Sequence, residues 1–133
     1  MTYLLDTNVC VVHLAGRSFK IRQRLQAMPA SEIALCSIVK AEIFYGVMKG
    51  NYSQQSLALR QSFLNQFVSL PFDDLAAEFY GRERARLAKL GTPIGPNDLF
   101  IAAIALANNL TLVTHNTREF SRVANLQFED WEI

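Results

Sequence analysis

Short apolar runs alternate along this chain with longer segments of helical periodicity, and no other feature limits its possible folds as much. The runs are Tyr3 to Leu5, Ile33 to Cys36, Phe67 to Leu70, Thr111 to Thr114 and Leu126 to Glu129, each of strand length. Between them, helices are predicted over about Asn8 to Leu14, Phe19 to Ala27, Ile38 to Met48, Ser53 to Asn65, Asp74 to Leu90, Asp98 to Ala107 and Thr117 to Arg122. The ends are punctuated by Gly16, Pro29, Gly50 and Gly91 as stops, by Ser37 as an N-cap, and by Pro96 in a first turn. Strands joined through helices pair as a parallel sheet whose two faces the helices cover. The expected fold class is therefore α/β, a three-layer α/β/α sandwich with a mainly parallel central sheet. A length of 133 residues fits one core, so residues 1–133 are read as a single domain.

In open sheets of this kind ligands bind beyond the carboxyl ends of the strands. Asp6, Thr7 and Asn8 follow the first predicted strand, Ser37 and the helix carrying Glu42 follow the second, and Thr114, His115 and Asn116 follow the fourth. Three polar clusters thus fall on one edge.

Charge and cysteine usage exclude several classes. Thirteen Lys and Arg against twelve Asp and Glu leave a net charge of +1, so no overall basicity advertises a nucleic-acid binder. The apolar stretch from Leu99 to Ala107 stops far short of the roughly 20 residues that span a bilayer. The first residues lack the basic and long apolar regions of a signal peptide, and no membrane association is expected. Cys10 and Cys36 form no CxxC pair and read as small core residues of a protein in a reducing compartment, the cytoplasm. His13 and His115 are isolated in sequence and match neither an HExxH nor a Cys/His zinc pattern.

Three carboxylates stand in apolar company. Asp6 follows Tyr3-Leu4-Leu5, Glu42 lies between Ala41 and Ile43 with Ile38 and Tyr45 on its helical face, and Asp98 leads into Leu99-Phe100-Ile101. Taking a carboxylate out of water costs several kcal/mol unless it is paired, hydrogen-bonded or bound to a metal. Ordinary explanations exist for each. Asp6 can cap a helix, Asp98 can complement a helix dipole, and Glu42 can pair with Lys40 or Lys49. If the three instead meet, repulsion costs roughly 4 kcal/mol per pair at about 4 Å and an effective dielectric of 20. A divalent cation reverses that penalty. A donor set of oxygens alone selects Mg²⁺, with Mn²⁺ as a substitute, and such an ion serves phosphodiester hydrolysis.

Four blocks carry a resemblance. Leu4-Leu5-Asp6-Thr7-Asn8, Ser37 to Gly46 with Glu42 at its centre, Gly91 to Asp98, and Leu112 to Phe120 resemble, in that order, the PIN-domain ribonucleases, specifically the VapC-type toxins of bacterial toxin–antitoxin pairs. The likeness runs from Leu4 to Trp131. It implies a metal-dependent endoribonuclease toxin that hydrolyses RNA phosphodiester bonds, with Asp6, Glu42 and Asp98 as catalytic and metal-binding acids. Asp6 and Asp98 would anchor the ion, and Glu42 would complete the site and orient or deprotonate the attacking water. At the fourth acidic position of many relatives this chain has Asn116, with Glu119 one helical turn further on. That departure leaves a second metal site open.

Thr7, Asn8, Ser37 and Thr114 would position the carboxylates or the phosphate, or else serve only turns and caps. Arg82, Arg86 and Lys89 share a face of the helix from Asp74 to Leu90, either as an RNA phosphate contact or as a solvated basic face. Arg17, Lys20, Arg22 and Arg24 form a second basic group for RNA or an acidic partner. The resemblance also implies tRNA as substrate, a VapB-type antitoxin whose C-terminal segment covers the active site, and a homodimer. Ile38, Phe44, Tyr45, Phe63 and Phe67 serve the core, the dimer or the antitoxin, with the core as default. Two alternatives differ in class. One is a Mg²⁺-dependent phosphoryl-transfer domain of haloacid-dehalogenase or receiver type, against which Asn8 stands where the former has a second Asp. The other is a catalytically silent PIN-like module that binds RNA or a partner.

Overall fold

In the computed structural model, which describes residues 1–51 and 53–133, the chain runs as β1 (Tyr3–Leu5), α1 (Thr7–Leu14), α2 (Phe19–Gln26), a 3₁₀ turn (Ala30–Glu32), β2 (Ile33–Cys36), α3 (Ser37–Lys49), α4 (Gln54–Leu64), β3 (Val68–Leu70), α5 (Asp74–Lys89), α6 (Pro96–Ala107), β4 (Thr111–Val113), α7 (Thr117–Phe120) and β5 (Phe128–Glu129). The strands form one sheet in the order β3-β2-β1-β4-β5. Every pairing among the described residues is parallel, with Tyr3 opposite both Ile33 and Thr111, and Val113 opposite Glu129. The sheet is thus wholly rather than mainly parallel.

Burial follows position in the sheet. Leu4, Leu5, Leu112, Val113 and all of β2 are buried, as a central strand covered on both faces requires. The edge strand β3 is largely exposed, and β5 is only two residues long. A ladder this short leaves little free backbone for a foreign strand. Glu129 also accepts hydrogen bonds from Arg24 and Trp131, while the Arg24 guanidinium lies 4.7 Å from the Trp131 ring centroid. Arg24 therefore closes the sheet edge.

Helix ends show where local chemistry decides. Asp73 caps α5 through Ala76 N, and Ser53 caps α4 through Ser56 N. Ser37 does not cap α3. That helix starts directly from β2, so Cys36 occupies the N-cap position, with no side-chain cap hydrogen bond, and Ser37 is the first helical residue. Helix α6 begins two residues before the expected Asp98, because Pro96 supplies a preset φ and needs no N–H in the first turn. Gly16 and Gly91 follow the C-caps of α1 and α5 with φ of 68° and 71°, a conformation that side chains disfavour.

Helix α6 is nearly all core: Leu99 and Ile101 through Ala105 are buried, and it packs on α5 and α3. Tyr80 and Phe100 stack with centroids 4.4 Å apart, and Phe72 meets Phe100 edge-on. These contacts fix the helix whose first turn carries Asp98. From β1 the chain builds outward through β2 to β3, then returns to the other side of β1 as β4. The order reverses between β1 and β4, which places a crevice beyond their carboxyl ends.

Candidate active site

Asp6 sits at that reversal, as the N-cap of α1. Its backbone N–H donates to Val113 O of β4 at 2.9 Å, so the two central strands are still paired where the side chain begins. Oδ1 accepts from Thr7 N at 2.8 Å and Oδ2 from Thr114 Oγ1 at 2.9 Å. Asp6 is 4% exposed and Thr114 is fully buried, and they are the buried polar residues among those described. Burial pushes the Asp6 carboxyl above its usual range, against the pull of those two hydrogen bonds, with Glu42 and Glu119 adding repulsion.

Glu42, on the second turn of α3, finds neutral partners. Oε1 accepts from Thr7 Oγ1 at 2.6 Å, and Oε2 is 3.4 Å from Asn97 Nδ2. Among the described residues it forms no salt bridge, to Lys40, Lys49 or any other base. Thr7 consequently holds both acids, Asp6 through its backbone and Glu42 through its hydroxyl. Asn97 is a partner that the sequence did not single out, since an Asn beside a Pro in a turn reads as ordinary.

Asp98, in the first turn of α6, is half-buried and has no hydrogen-bond donor to its carboxylate among the described residues. Burial, then the negative charges of Asp6, Glu119 and Glu42, pushes its pKa up to about 7. Asp98 therefore feels the charge of Asp6, Glu119 and Glu42 and, among the described residues, has no donor of its own to compensate it. Glu119 differs, because its oxygens accept from Gly95 N at 2.9 Å and from Asn116 Nδ2 at 2.8 Å. Those bonds hold its carboxyl below the usual range. Gly95 is the N-cap of α6, so Glu119 ties α7 to the start of the helix that presents Asp98. Asn116 in turn donates its backbone N–H to Thr114 Oγ1 at 3.0 Å.

The remaining candidates divide. Asn8 and Ser37 are exposed beside the site, without side-chain hydrogen bonds among the described residues. Arg82 and Lys89 are exposed on α5, with the Arg82 guanidinium 5.6 Å from the Phe79 ring centroid. Arg86 is not a free cation: it pairs with Glu83 at 2.7 Å and donates to Arg122 O at 2.7 Å, bracing α5 against the segment after α7. Arg17, Lys20 and Arg22 are exposed, whereas Arg24 is the strand-edge clasp already described. Phe63 lies in the core, Ile38, Phe44 and Phe67 pack partly buried against it, and Tyr45 is 67% exposed.

A donor set of carboxylate and amide oxygens, with one carboxylate unsatisfied and repelled by its neighbours, fits a hard divalent cation. Known proteins resemble the chain over nearly its whole length. The family model described as the PIN domain matches residues 3–126. The chain is 35% identical over 131 residues to the tRNA(fMet)-specific endonuclease VapC of Shigella flexneri, covering 98% of each. It is 38% identical over 133 residues to ribonuclease VapC2 of Rickettsia felis, covering 99% of each. Its fold superposes with a TM-score of 0.93, at 36% identity and 98% coverage of each chain, on a solved structure of DNA-bound VapBC from Salmonella typhimurium.

Proposed function

From the chain's place in the PIN-domain family, to which it belongs as a VapC ribonuclease toxin, we propose that it cleaves tRNA with Mg²⁺ or Mn²⁺ held by Asp6, Asp98 and Glu42. The observation that carries the metal assignment is Asp98, a half-buried carboxylate without a donor among three other acids. When bound, the cation supplies neutralising charge to the phosphoryl group and acidifies a water.

The chain's own residues do the rest. Thr114 and the Thr7 N–H hold Asp6 in one orientation, and the Thr7 hydroxyl holds Glu42 by one oxygen. The other Glu42 oxygen, with only the long contact to Asn97, orients the attacking water and accepts its proton. Glu119 and Asn116 fix the start of α6, which carries Asp98, the carboxylate that would hold the cation together with Asp6 and Glu42. Asn8 and Ser37 flank the site as phosphate contacts, while Arg82 and Lys89 offer charge to the RNA backbone.

The tRNA substrate is supported by the Shigella relative's specificity, and a VapB-type antitoxin by the VapBC structure. A tRNA substrate places the protein in the cytoplasm, and no helix among the described residues is long and apolar enough to cross a membrane. A homodimer completes the proposal, with exposed Tyr45 available to a second chain or to the antitoxin.

The test is cleavage by purified, antitoxin-free protein of total tRNA against unstructured RNA, with Mg²⁺, Mn²⁺ or EDTA, and Asp6→Asn as control. Cuts at a few tRNA positions, lost in EDTA and in the variant, are expected. A folded protein that binds RNA but cuts none with either metal would refute the nuclease assignment and favour a silent binding module. Cleavage undiminished in Asp6→Asn would refute the site.

A further inference from the structure

We propose that His115, Asp130 and Glu132 form a second cation site, suited to Zn²⁺ or a similar late first-row divalent ion, one strand outward from the acidic pocket. The site does not depend on the ribonuclease assignment. No spacing in the sequence announces it, because the strand register assembles it. Val113 lies opposite Glu129 in the β4–β5 pair, and Thr114 N donates to Glu129 O, so the residues that leave the two strands emerge side by side. His115 Nδ1 stands 2.9 Å from Asp130 Oδ2 and 3.6 Å from Glu132 Oε2. The potential ligand atoms of the three residues all lie within 4.8 Å of one another.

Two features separate this group from a chance meeting of surface charges. The Asp130 side chain is only 9% exposed, and its Oδ1 accepts from Glu132 N at 2.9 Å, which leaves Oδ2 aimed at the imidazole. Between the two acids, Trp131 is 2% exposed and packs edge-on against Tyr3 at 5.1 Å, so this stretch is anchored on the core. The distances suit a metal. Ligands about 2.0 to 2.1 Å from zinc stand about 2.8 to 3.4 Å apart at octahedral or tetrahedral angles, so 2.9 Å falls within that range and 3.6 Å lies just beyond it. A simple ion pair is complete with Asp130 alone, whereas Glu132 stands beyond good hydrogen-bond reach. Imidazole with two carboxylates favours zinc over magnesium, the opposite of the all-oxygen pocket. A bound ion would clamp the segment after β5 to the loop after β4, beside Thr114 and Asn116.

The chain has two histidines, so side-chain ¹⁵N spectra of the full-length protein resolve the question, with His13 as internal control. The titration uses Zn²⁺ in an Asp6→Asn, Asp98→Asn background, which removes charge from the acidic pocket. The expected result is a shift of the His115 Nδ1 resonance that saturates near one equivalent while His13 stays in place and Mg²⁺ has no effect. In the same background His115→Ala and Asp130→Asn should each weaken zinc binding at least about tenfold. Asn at position 130 keeps an oxygen for Glu132 N, so its loss of affinity would not reflect unfolding. His115 resonances unmoved by excess zinc, or unchanged zinc affinity in both variants, would overturn the proposal.

Discussion

Replacing Thr114 by Val changes shape little and deletes one oxygen with two duties. Thr114 Oγ1 donates to Asp6 Oδ2 and accepts from Asn116 N, and the residue is fully buried. Losing a hydrogen bond to a charged group costs about 1.5 to 3 kcal/mol, and the orphaned Asn116 N–H adds less, because Asn116 is half-buried and water can reach it. A destabilisation of about 3 kcal/mol is therefore expected in metal-free protein. With an unfolding entropy of about 2.1 cal/mol/K per residue, the melting temperature should fall by about 11 °C. The pH dependence tests the cause. Burial already raises the Asp6 pKa above its unfolded value, and removing a donor raises it further. The penalty is complete above the folded pKa and shrinks as pH falls through it, because a neutral carboxyl no longer needs the donor. Calorimetry of both proteins in EDTA over a series of pH values should show the deficit shrinking as pH falls and the raised Asp6 carboxyl protonates. A deficit that stays constant through the whole series, or never exceeds about 1 kcal/mol, would refute the claim that Thr114 stabilises a buried charge.

Other perturbations separate stability from activity. Asp98→Asn removes the charge that lacks a donor, so the metal-free protein should melt higher while cleavage is lost; a lower melting temperature would show that the charge is satisfied. Wild-type protein in EDTA should gain stability as pH falls from 8 toward 5. The Asp98 carboxyl, raised to about 7, strains the fold above that value and is relieved as it protonates, an effect that excess Mg²⁺ should erase. Asn116→Asp sets a second carboxylate where a 2.8 Å bond to Glu119 now lies, and should cost about 1 to 3 kcal/mol without metal while tightening Mn²⁺ binding in a calorimetric titration. Glu119→Ala loses the bonds to Gly95 N and Asn116 Nδ2, and should cost about 1 to 2 kcal/mol and raise the Mg²⁺ concentration needed for half-maximal cleavage.

The order of strands and helices was legible because each segment keeps one hydrophobic period and ends at Gly, Pro or a capping residue. Ser37 misled because a Ser before an apolar run signals a cap, whereas α3 continues from β2 without a turn and puts Cys36 there. Asp6, Glu42 and Asp98 stood out because each breaks an apolar pattern, and in the fold Asp98 feels the charge of the other two. Asn97 and Gly95 carry no such signal, since polar and small residues in a turn look alike whether or not they hold a carboxylate. Arg86 was read only as part of a basic face, whereas it pairs with Glu83 and donates to Arg122 O, a bond that depends on how α7 docks. The cluster around His115 needed the β4–β5 register, which no local pattern contains.

Cys10 and Cys36 turn the underside of the acidic pocket into a clock. Cys10 lies on α1 and Cys36 at the start of α3, and both are fully buried close to Asp6. Burial raises both thiols, Cys36 to about 11, so the nucleophilic thiolate is scarce while the protein is closed. Alkylation then proceeds only when α1 or α3 lifts from the sheet, and its rate counts those openings. A ligand that cross-links Asp6 and Glu42 holds the two helices together and slows the clock. The free energy of occupancy is thereby readable from thiol labelling alone, with neither a substrate nor a catalytic turnover.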